Sequence, residues 1–162
     1  DIPDFPQPGI LFRDLTPLMA DSRALGAVTD LLAERYRDRK IDKIVGIEAR
    51  GFIFAAPLAV ALGVGFVPAR KPGKLPWHCI EESYELEYGC NTIVVHEDAV
   101  APGEKVLIVD DLIATGGTLA ATANLVKRLG GEVVEICCIV ELEALEGRKQ
   151  LGGVPMHTLI KY

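Results

Sequence analysis

The stretch from Val106 to Thr118, VLIVDDLIATGGT, constrains the fold more than any other part of the chain. It starts with four consecutive apolar residues, which is typical of a buried strand in a parallel sheet. The strand ends in the acidic pair Asp110 and Asp111, and a short Thr/Gly loop follows. The period then becomes helical, and the helix ends at Gly130; its apolar face consists of Leu119, Ala123, Val126 and Leu129. This strand, loop and helix predict an α/β fold.

The loop after the acidic pair is suited to a phosphate. In an open α/β sheet, ligands bind at the carboxyl ends of the strands. A glycine-rich turn that leads into a helix presents free backbone N–H groups and the positive end of the helix dipole. Asp110 and Asp111 would repel a phosphate unless they face ribose hydroxyls or a Mg²⁺ ion. The string therefore predicts a site for a phosphorylated ribose; the alternative is a polar strand end followed by an ordinary helix cap.

Composition excludes some classes of function. The chain has 162 residues, about half of them apolar, which predicts one domain over residues 1–162 with a substantial core. Its net charge of −6 argues against a nucleic-acid or membrane-surface binder, so anionic ligands need a local group of cations. The cysteines lack metal-site spacing and are interpreted as reduced thiols of a cytoplasmic protein, with Cys137 and Cys138 on opposite faces of a strand.

Further strands and helices follow from the sequence pattern. Asp21 is expected to cap a helix whose apolar side chains are Leu25, Val28, Leu31, Leu32 and Tyr36, and whose basic end, Arg35 to Lys40, is expected to be solvated. Residues 52–69 carry no charge, but their prolines and glycines favour a buried helix and strand over a membrane span. Strands are expected at 44–47, 64–67, 133–140 and 156–160, and a hairpin at 84–88 and 91–96.

Two further segments carry positive charge near expected strand ends. Arg50 follows the strand at 44–47 in the sequence Glu48-Ala49-Arg50-Gly51, where a guanidinium suits a polyanion; the alternative is an ion pair between Arg50 and Glu48. The segment from Arg70 to Pro76 has three cations in five residues, broken by Pro72 and Gly73. Long loops of this kind are usually functional or disordered, and the alternative is a solvated run of charge.

The central string, together with PGILFRD, EARGF, RKPGKLP and YELEYG, resembles the type I phosphoribosyltransferases. The resemblance runs nearly end to end and is strongest to the members that use adenine. It implies a mostly parallel twisted sheet with helices on both faces, a small N-terminal hood at residues 1–15, and a flexible lid loop and hairpin at residues 70–92. It also implies Mg²⁺-dependent transfer of 5-phosphoribose from phosphoribosyl pyrophosphate (PRPP) to adenine, by a homodimer.

The resemblance assigns roles to individual residues. Glu87, Arg50, Asp110 and Asp111 would be catalytic, with Asp110 and Asp111 also possible Mg²⁺ contacts beside PRPP. The 5′-phosphate would be held by Ala114, Thr115, Gly116, Gly117 and Thr118. Pyrophosphate would be held by Ala49, Arg50, Gly51, Arg70, Lys71, Lys74 and Tyr88, and adenine by Leu11, Phe12, Arg13, Arg50 and Leu112.

Three alternatives to this function stay open from the sequence. A sibling enzyme for hypoxanthine, guanine, xanthine or orotate would share the PRPP string. A non-catalytic PRPP-sensing regulator would share the fold, but the chain carries no recognisable DNA-binding module and is acidic. A nucleotide-binding domain of another type is disfavoured because GxxxxGK[ST] is absent and Gly63-Val64-Gly65 lacks the third glycine of a dinucleotide fingerprint.

Overall fold

A computed structural model describes residues 1–85 and 89–162. Its main sheet has five parallel strands in the order β4-β3-β7-β8-β9. These strands are β3 (Lys43–Ile47), β4 (Gly65–Ala69), β7 (Lys105–Ile113), β8 (Glu132–Glu141) and β9 (Met156–Lys161). Two antiparallel pairs lie outside this sheet: β1 (Ile2–Pro3) with β2 (Leu11–Phe12), and β5 (Cys79–Glu85) with β6 (Cys90–His96).

Helices cover both faces of the sheet, as predicted. They are α1 (Thr16–Ala20), α2 (Ser22–Tyr36), α3 (Gly51–Leu62) and α4 (Gly117–Arg128), and two short 3₁₀ helices lie at Glu143–Leu145 and Gly147–Leu151. One core layer lies under α2 and α3, and the other lies under α4 and β6. Cys137 belongs to the first layer and Cys138 to the second, which confirms their opposite directions. None of the helices in the described residues is long and apolar enough to cross a membrane.

The direction in which the chain winds along the sheet changes between the neighbouring strands β3 and β7. From β3 the chain passes through α3 to β4 on one side, whereas from β7 it passes through α4 to β8 on the other. The β3 ladder on β7 ends at Val109, but the β8 ladder continues to Ile113. A crevice therefore opens beside Asp110 at the carboxyl ends of the strands, which is where ligands bind in sheets of this kind.

Local expectations were confirmed at some positions and wrong at others. The Asp21 carboxylate accepts hydrogen bonds from the backbone N–H groups of Arg23 and Ala24, so it caps α2 as predicted. Leu31, expected in the apolar stripe, is 60% exposed. The prediction that β7 ends at the acidic pair was also wrong, because Leu112 and Ile113 still pair with β8.

Two longer segments also differ from expectation. The first hairpin strand begins at Cys79 rather than at residue 84, because its alternation of exposed and half-buried positions matches a strand paired on one side to β6. The basic end of α2 is not merely solvated, since Arg35 and Arg39 form ion pairs with the buried Glu135 at 3.1 and 3.0 Å. That carboxylate lies 100 residues from Arg35 in the sequence, beyond the reach of a local pattern.

Candidate active site

The loop from Ala114 to Thr118 lies at the N-terminus of α4 and surrounds a small cavity. Gly116 adopts φ +86°, a left-handed conformation that favours glycine, and turns the chain into the helix. Within the described residues, no side chain caps the helix start, so the backbone N–H groups of its first turn remain available to an anion. The cavity has a volume of about 100 Å³ and is lined by Asp110 and by residues 112–119.

Tyr84 closes one side of this loop. The Thr118 hydroxyl donates a hydrogen bond to the Tyr84 hydroxyl oxygen at 2.7 Å. The Tyr84 ring also lies so close to Gly117 that a Cβ at position 117 would be 2.8 Å from its Cδ2 atom. Tyr84 was not among the predicted site residues. The alternation in YELEY indicated a strand here, but the sequence did not show which helix the strand would approach.

The acidic pair borders the crevice beside the loop. The Asp111 backbone N–H donates to Asp110 Oδ1 at 2.8 Å, and Asp111 is only 7% exposed. Gly51 makes room for this arrangement, because a Cβ at position 51 would lie 2.8 Å from Asp110 Oδ1. Burial, and then the neighbouring charge of Asp111, raise the pKa of Asp110 well above its usual range. A ligand that donates hydroxyl hydrogen bonds or brings positive charge would favour the ionised form.

Arg50 bridges the acidic pair and the N-terminal segment. Its Nε atom lies 2.6 Å from Asp111 Oδ2, and its guanidinium carbon lies 5.7 Å from the centre of the Phe12 ring. The alternative pairing of Arg50 with Glu48 was wrong, since Glu48 instead pairs with Arg70 at 2.6 Å. Arg50 is therefore held at the crevice by an ion pair that a substrate would have to exchange.

A larger cavity joins these groups. Its volume is about 370 Å³, and its lining residues are Ile47, Glu48, Ala49, Arg50, Lys71, Tyr84, Asn91, Thr92, Ile93, Asp110, Asp111 and Thr118. Asp110 and Thr118 line both this cavity and the small cavity at the loop, so the two spaces are adjacent and share these two residues. The structure thus brings together in one crevice residues that the sequence places more than 60 positions apart, Ala49 and Thr118 among them.

The predicted cations of the lid segment take different positions. Lys71 lines the larger cavity. The Arg70 guanidinium donates to the Lys74 carbonyl at 3.0 Å as well as to Glu48, and its backbone bonds in both directions with Val94. Arg70 is thereby fixed to the rim of the crevice, where its charge lies beside the Glu48 carboxylate.

The predicted base contacts are less closely grouped. Phe12 faces Arg50, and Leu112 lines the phosphate-sized cavity. Leu11 is 47% exposed. The Arg13 guanidinium pairs with Asp1 at 2.5 Å and lies 4.1 Å over the Tyr162 ring, so its side chain is engaged with the chain termini. The predicted residues Glu87 and Tyr88 lie outside the described residues.

The donor groups decide what metal the crevice could hold. Across the described parts of the chain, no three His, Cys, Asp or Glu side chains come together as a metal site. Asp110 and Asp111 supply two carboxylates of hard oxygen beside a cavity large enough for a substrate. This set fits Mg²⁺, which commonly uses one or two carboxylates and takes its other ligands from substrate phosphates and water.

The sequence and the structure of this chain were compared with those of known proteins. The model of the phosphoribosyl transferase domain matches residues 18–154. The adenine phosphoribosyltransferase of Aeromonas salmonicida is 57% identical over 162 residues, which cover 99% of this chain and 90% of the relative. The crystal structure of adenine phosphoribosyltransferase from Thermoanaerobacter pseudethanolicus superposes with a TM-score of 0.96 at 53% identity, covering 99% of this chain and 94% of the other.

A third relative was crystallised with ligands. Adenine phosphoribosyltransferase from Saccharomyces cerevisiae, in complex with adenine and D-2,5-dideoxy-2,5-imino-altritol 1,6-bisphosphate, has a TM-score of 0.92 at 44% identity. The match covers 98% of this chain and 92% of the yeast chain.

Proposed function

The chain belongs to the phosphoribosyl transferase family, and within it to the adenine phosphoribosyltransferases, and from this premise we propose how its crevice carries out the reaction. The activity is transfer of the 5-phosphoribosyl group of PRPP to adenine, which gives AMP and pyrophosphate and salvages the purine. The observation that carries the proposal is that two adjacent cavities share Asp110 and Thr118 in their linings. The smaller one surrounds a helix start that no side chain caps among the described residues, and Arg50 lines the larger one.

We assign the two ends of PRPP to the two cavities. The 5′-phosphate occupies the smaller cavity, where it accepts hydrogen bonds from the backbone N–H groups of Ala114 to Thr118 and from the Thr115 hydroxyl. The Thr118 hydroxyl donates to the phosphate as well, once the Tyr84 hydroxyl donates to Thr118 instead of accepting from it. The pyrophosphate lies in the larger cavity beside Lys71, Ala49 and Arg50, which line it. The backbone of Gly51, the next residue, is assigned to the pyrophosphate from the family resemblance. Asp110 and Asp111 accept hydrogen bonds from the ribose hydroxyls between the two ends.

The reaction then exchanges one bond at the ribose C1′ atom for another. The bond from C1′ to the pyrophosphate oxygen breaks, its electron pair leaves with pyrophosphate, and N9 of adenine forms the new bond to C1′. Asp110 and Asp111 stabilise the positive charge that develops on the sugar, while Arg50 stabilises the departing negative charge. Arg50 therefore gives up its ion pair with Asp111 when substrate binds.

Several groups complete the site in this proposal. Adenine lies against Phe12 and Arg50, with Leu11, Arg13 and Leu112 contributing to the pocket. Glu87 handles the proton of the adenine imidazole ring, and Tyr88 contacts the pyrophosphate; both assignments rest on the family resemblance. Arg70, Lys71 and Lys74 belong to a lid over residues 70–92 that excludes water from the electron-poor sugar.

Magnesium is the proposed cofactor, and Asp110 and Asp111 are the residues that would hold it together with PRPP. When bound, Mg²⁺ would neutralise charge on the pyrophosphate and make it a better leaving group. We also propose that residues 1–162 form a single domain with its N-terminal hood at residues 1–15, and that the enzyme acts in the cytoplasm as a homodimer. The last two proposals rest on the family resemblance and on the thiols expected from the sequence.

The test mixes the protein with Mg²⁺, PRPP and, in separate reactions, adenine, guanine, hypoxanthine, xanthine or orotate, and measures monophosphate formation. AMP from adenine alone supports the proposal, and chelation of Mg²⁺ should abolish it. Product from another base would overturn the assigned base pocket but keep the PRPP site. Binding of PRPP without product from any base would instead support a PRPP sensor.

Arg50→Ala tests the assigned charge stabilisation. Its turnover should fall by about 10²–10³-fold, the usual effect of removing an oriented electrostatic partner, with an unchanged circular dichroism spectrum. Arg37→Ala is the matched control, because Arg37 pairs with Glu34 on an exposed helix surface. Near-normal turnover of Arg50→Ala would contradict the role of Arg50.

A further inference from the structure

The 3₁₀ helix Gly147–Leu151 packs directly against the loop from Ala114 to Thr118, called the phosphate loop below. A Cβ at Gly116 would collide with the carbonyl oxygen of Gly147, and a Cβ at Gly147 would collide with the carbonyl oxygen of Ala114. The backbones of the two segments therefore touch without intervening side chains. Any displacement of Gly147 must be transmitted to the loop, because close-packed backbone leaves no space to absorb it.

Arg148 fixes this 3₁₀ helix to the sheet. Its Nε and one terminal nitrogen donate to the two oxygens of Glu141 at 2.5 and 2.7 Å, and its other terminal nitrogen donates to the Met156 carbonyl at 2.9 Å. The Thr158 hydroxyl donates to the same Glu141 carboxylate at 2.9 Å. The paired, planar contact defines the direction of Arg148 as well as its distance.

Glu141 also stands next to the start of the loop. It is the last residue of β8 and pairs in register with Ile113, the last residue of β7 before the loop begins. The Glu141 residue is 6% exposed, and hydrogen bonds from Arg148 lower the pKa of its carboxyl, so it is ionised at neutral pH. The loop is thus held between β7 on one side and a clamped 3₁₀ helix on the other.

We propose that Arg148 and Glu141 are positioning residues for the 5′-phosphate, which act through Gly147 on the backbone of the loop. The inference rests on the proposed function, because it assigns the loop to the 5′-phosphate of PRPP and AMP. Neither side chain lines the phosphate cavity, so the effect is on where the loop N–H groups point. This contact between Arg148 and Glu141, called the clamp below, should affect the affinity only of ligands that carry a 5′-phosphate.

The experiment compares Arg148→Lys, Arg148→Ala and Gly147→Ala with the wild type. Lysine keeps the charge of Arg148 but loses the paired contact, whereas alanine at position 147 inserts a methyl group between the two backbones. Lys149→Ala is the control in the same segment, since Lys149 pairs only with the exposed Glu146 among the described residues. Gly26→Ala is the glycine control, because apart from its chain neighbours and the backbone of its own helix no atom lies within 4 Å of its Cβ position.

Calorimetry measures AMP binding. Steady-state kinetics measures the inhibition constants of AMP and pyrophosphate, and the KM values of PRPP and adenine. We expect AMP to bind about tenfold more weakly to Arg148→Lys and Gly147→Ala, with a matching rise in the KM of PRPP, because hydrogen bonds to the charged phosphate become misaligned. Inhibition by pyrophosphate and the KM of adenine should stay at wild-type values, as should all constants of both control variants.

Other outcomes overturn the inference in distinguishable ways. Equal losses for AMP, pyrophosphate and adenine would show that the clamp supports general stability rather than the loop. Wild-type affinity for AMP in a folded Gly147→Ala variant would show that the packing does not position the loop. If Arg148→Ala melts below the assay temperature, Arg148→Lys and Gly147→Ala still decide the question. Failure of the wild type to bind AMP would refute the proposed function itself.

Discussion

Replacing Asp111 with asparagine should separate catalysis from stability. The Asp111 carboxylate is buried, but its partner Arg50, 2.6 Å away, has a side chain that is 42% exposed, so water screens the pair. The negative charge of Asp111 also acts against ionisation of Asp110, so losing it removes an unfavourable interaction, and the net contribution of Asp111 should be only about 0–1 kcal/mol. The free energy of unfolding should therefore fall by no more than about 1 kcal/mol. Turnover should fall by about 10²–10³-fold, equivalent to about 3–4 kcal/mol, because an oriented charge beside the sugar is lost. The catalytic effect should exceed the effect on stability at least threefold in free energy.

The same variant should change the pH dependence of PRPP binding. Burial and the negative charge of Asp111 both raise the pKa of Asp110, so Asp111→Asn removes one cause and lowers that pKa. In the proposed site of the wild type, protonation of Asp110 as the pH falls through the raised pKa would remove an acceptor for a ribose hydroxyl. Affinity for PRPP should therefore weaken on acidification, and in the variant this weakening should begin at a lower pH.

Calorimetric titration with PRPP and Mg²⁺ between about pH 5 and pH 8, with thermal melting at each pH, measures both effects. The phosphates of PRPP titrate alike in both experiments, so the difference between the proteins reports on the site. Asp38→Asn, at an exposed position, controls for the loss of one negative charge. The reasoning fails if wild type and Asp111→Asn weaken over the same pH range, or if turnover falls less than tenfold.

Three further variants test the other assignments. Tyr84→Phe removes the 2.7 Å hydrogen bond with Thr118 and should raise the KM of PRPP up to about tenfold without changing the KM of adenine, as steady-state kinetics would show. Asp110→Asn should raise the melting temperature at neutral pH. The pKa of Asp110 is raised in the folded protein, so the wild type loses stability as the pH rises from the pKa of the unfolded state through that of the folded state. Thermal melting in acid should show no gain for the variant. Burial opposes ionisation of Glu135, but hydrogen bonds, led by those from Arg35, outweigh burial and lower the pKa of its carboxyl. The contribution of Glu135 to stability is therefore fully present above the pKa of the unfolded state and disappears as the pH falls through the pKa of the folded state. Glu135→Gln should cost about 2–3 kcal/mol in urea denaturation at neutral pH, less than for a fully buried pair because Arg35 is 37% exposed, and the deficit should shrink in acid.

The sequence predicted those parts of the fold that local periodicity determines. Four apolar residues in a row predicted the central strand β7, and the change to helical spacing predicted α4. Of the predicted apolar face, Leu119, Ala123 and Val126 are buried, whereas Leu129 lies just after the helix and is half-buried. Asp21 was predicted as a cap because capping needs only a carboxylate and the next two or three N–H groups. These features depend on residues that are close in the chain, so a single sequence is enough to find them.

Contacts between distant segments could not be predicted in the same way. Arg35 looked like a solvated cation because its partner, Glu135, is on β8 and shows no local pattern. Tyr84 was placed in a strand, but its approach to Thr118 depends on how the hairpin packs on α4. The Gly147 contact with the loop likewise needs the register of β7 and β8, which fixes where the chain returns after Glu141.

The local structure of the site lowers the stability of the free protein more than comparable features elsewhere in the chain. Asp110 is ionised with difficulty, α4 begins without a side-chain cap among the described residues, and Gly116 holds a conformation that costs other residues free energy. Elsewhere, the buried carboxylates of Glu135 and Glu141 are satisfied by arginines of the same chain. A carboxylate and a helix start that lack such partners are stabilised once a ligand supplies hydroxyl donors and a phosphate, respectively. In the proposed site, the same two features that weaken the free protein give PRPP its affinity, and we expect a protein improved at these positions for stability to be a poorer enzyme.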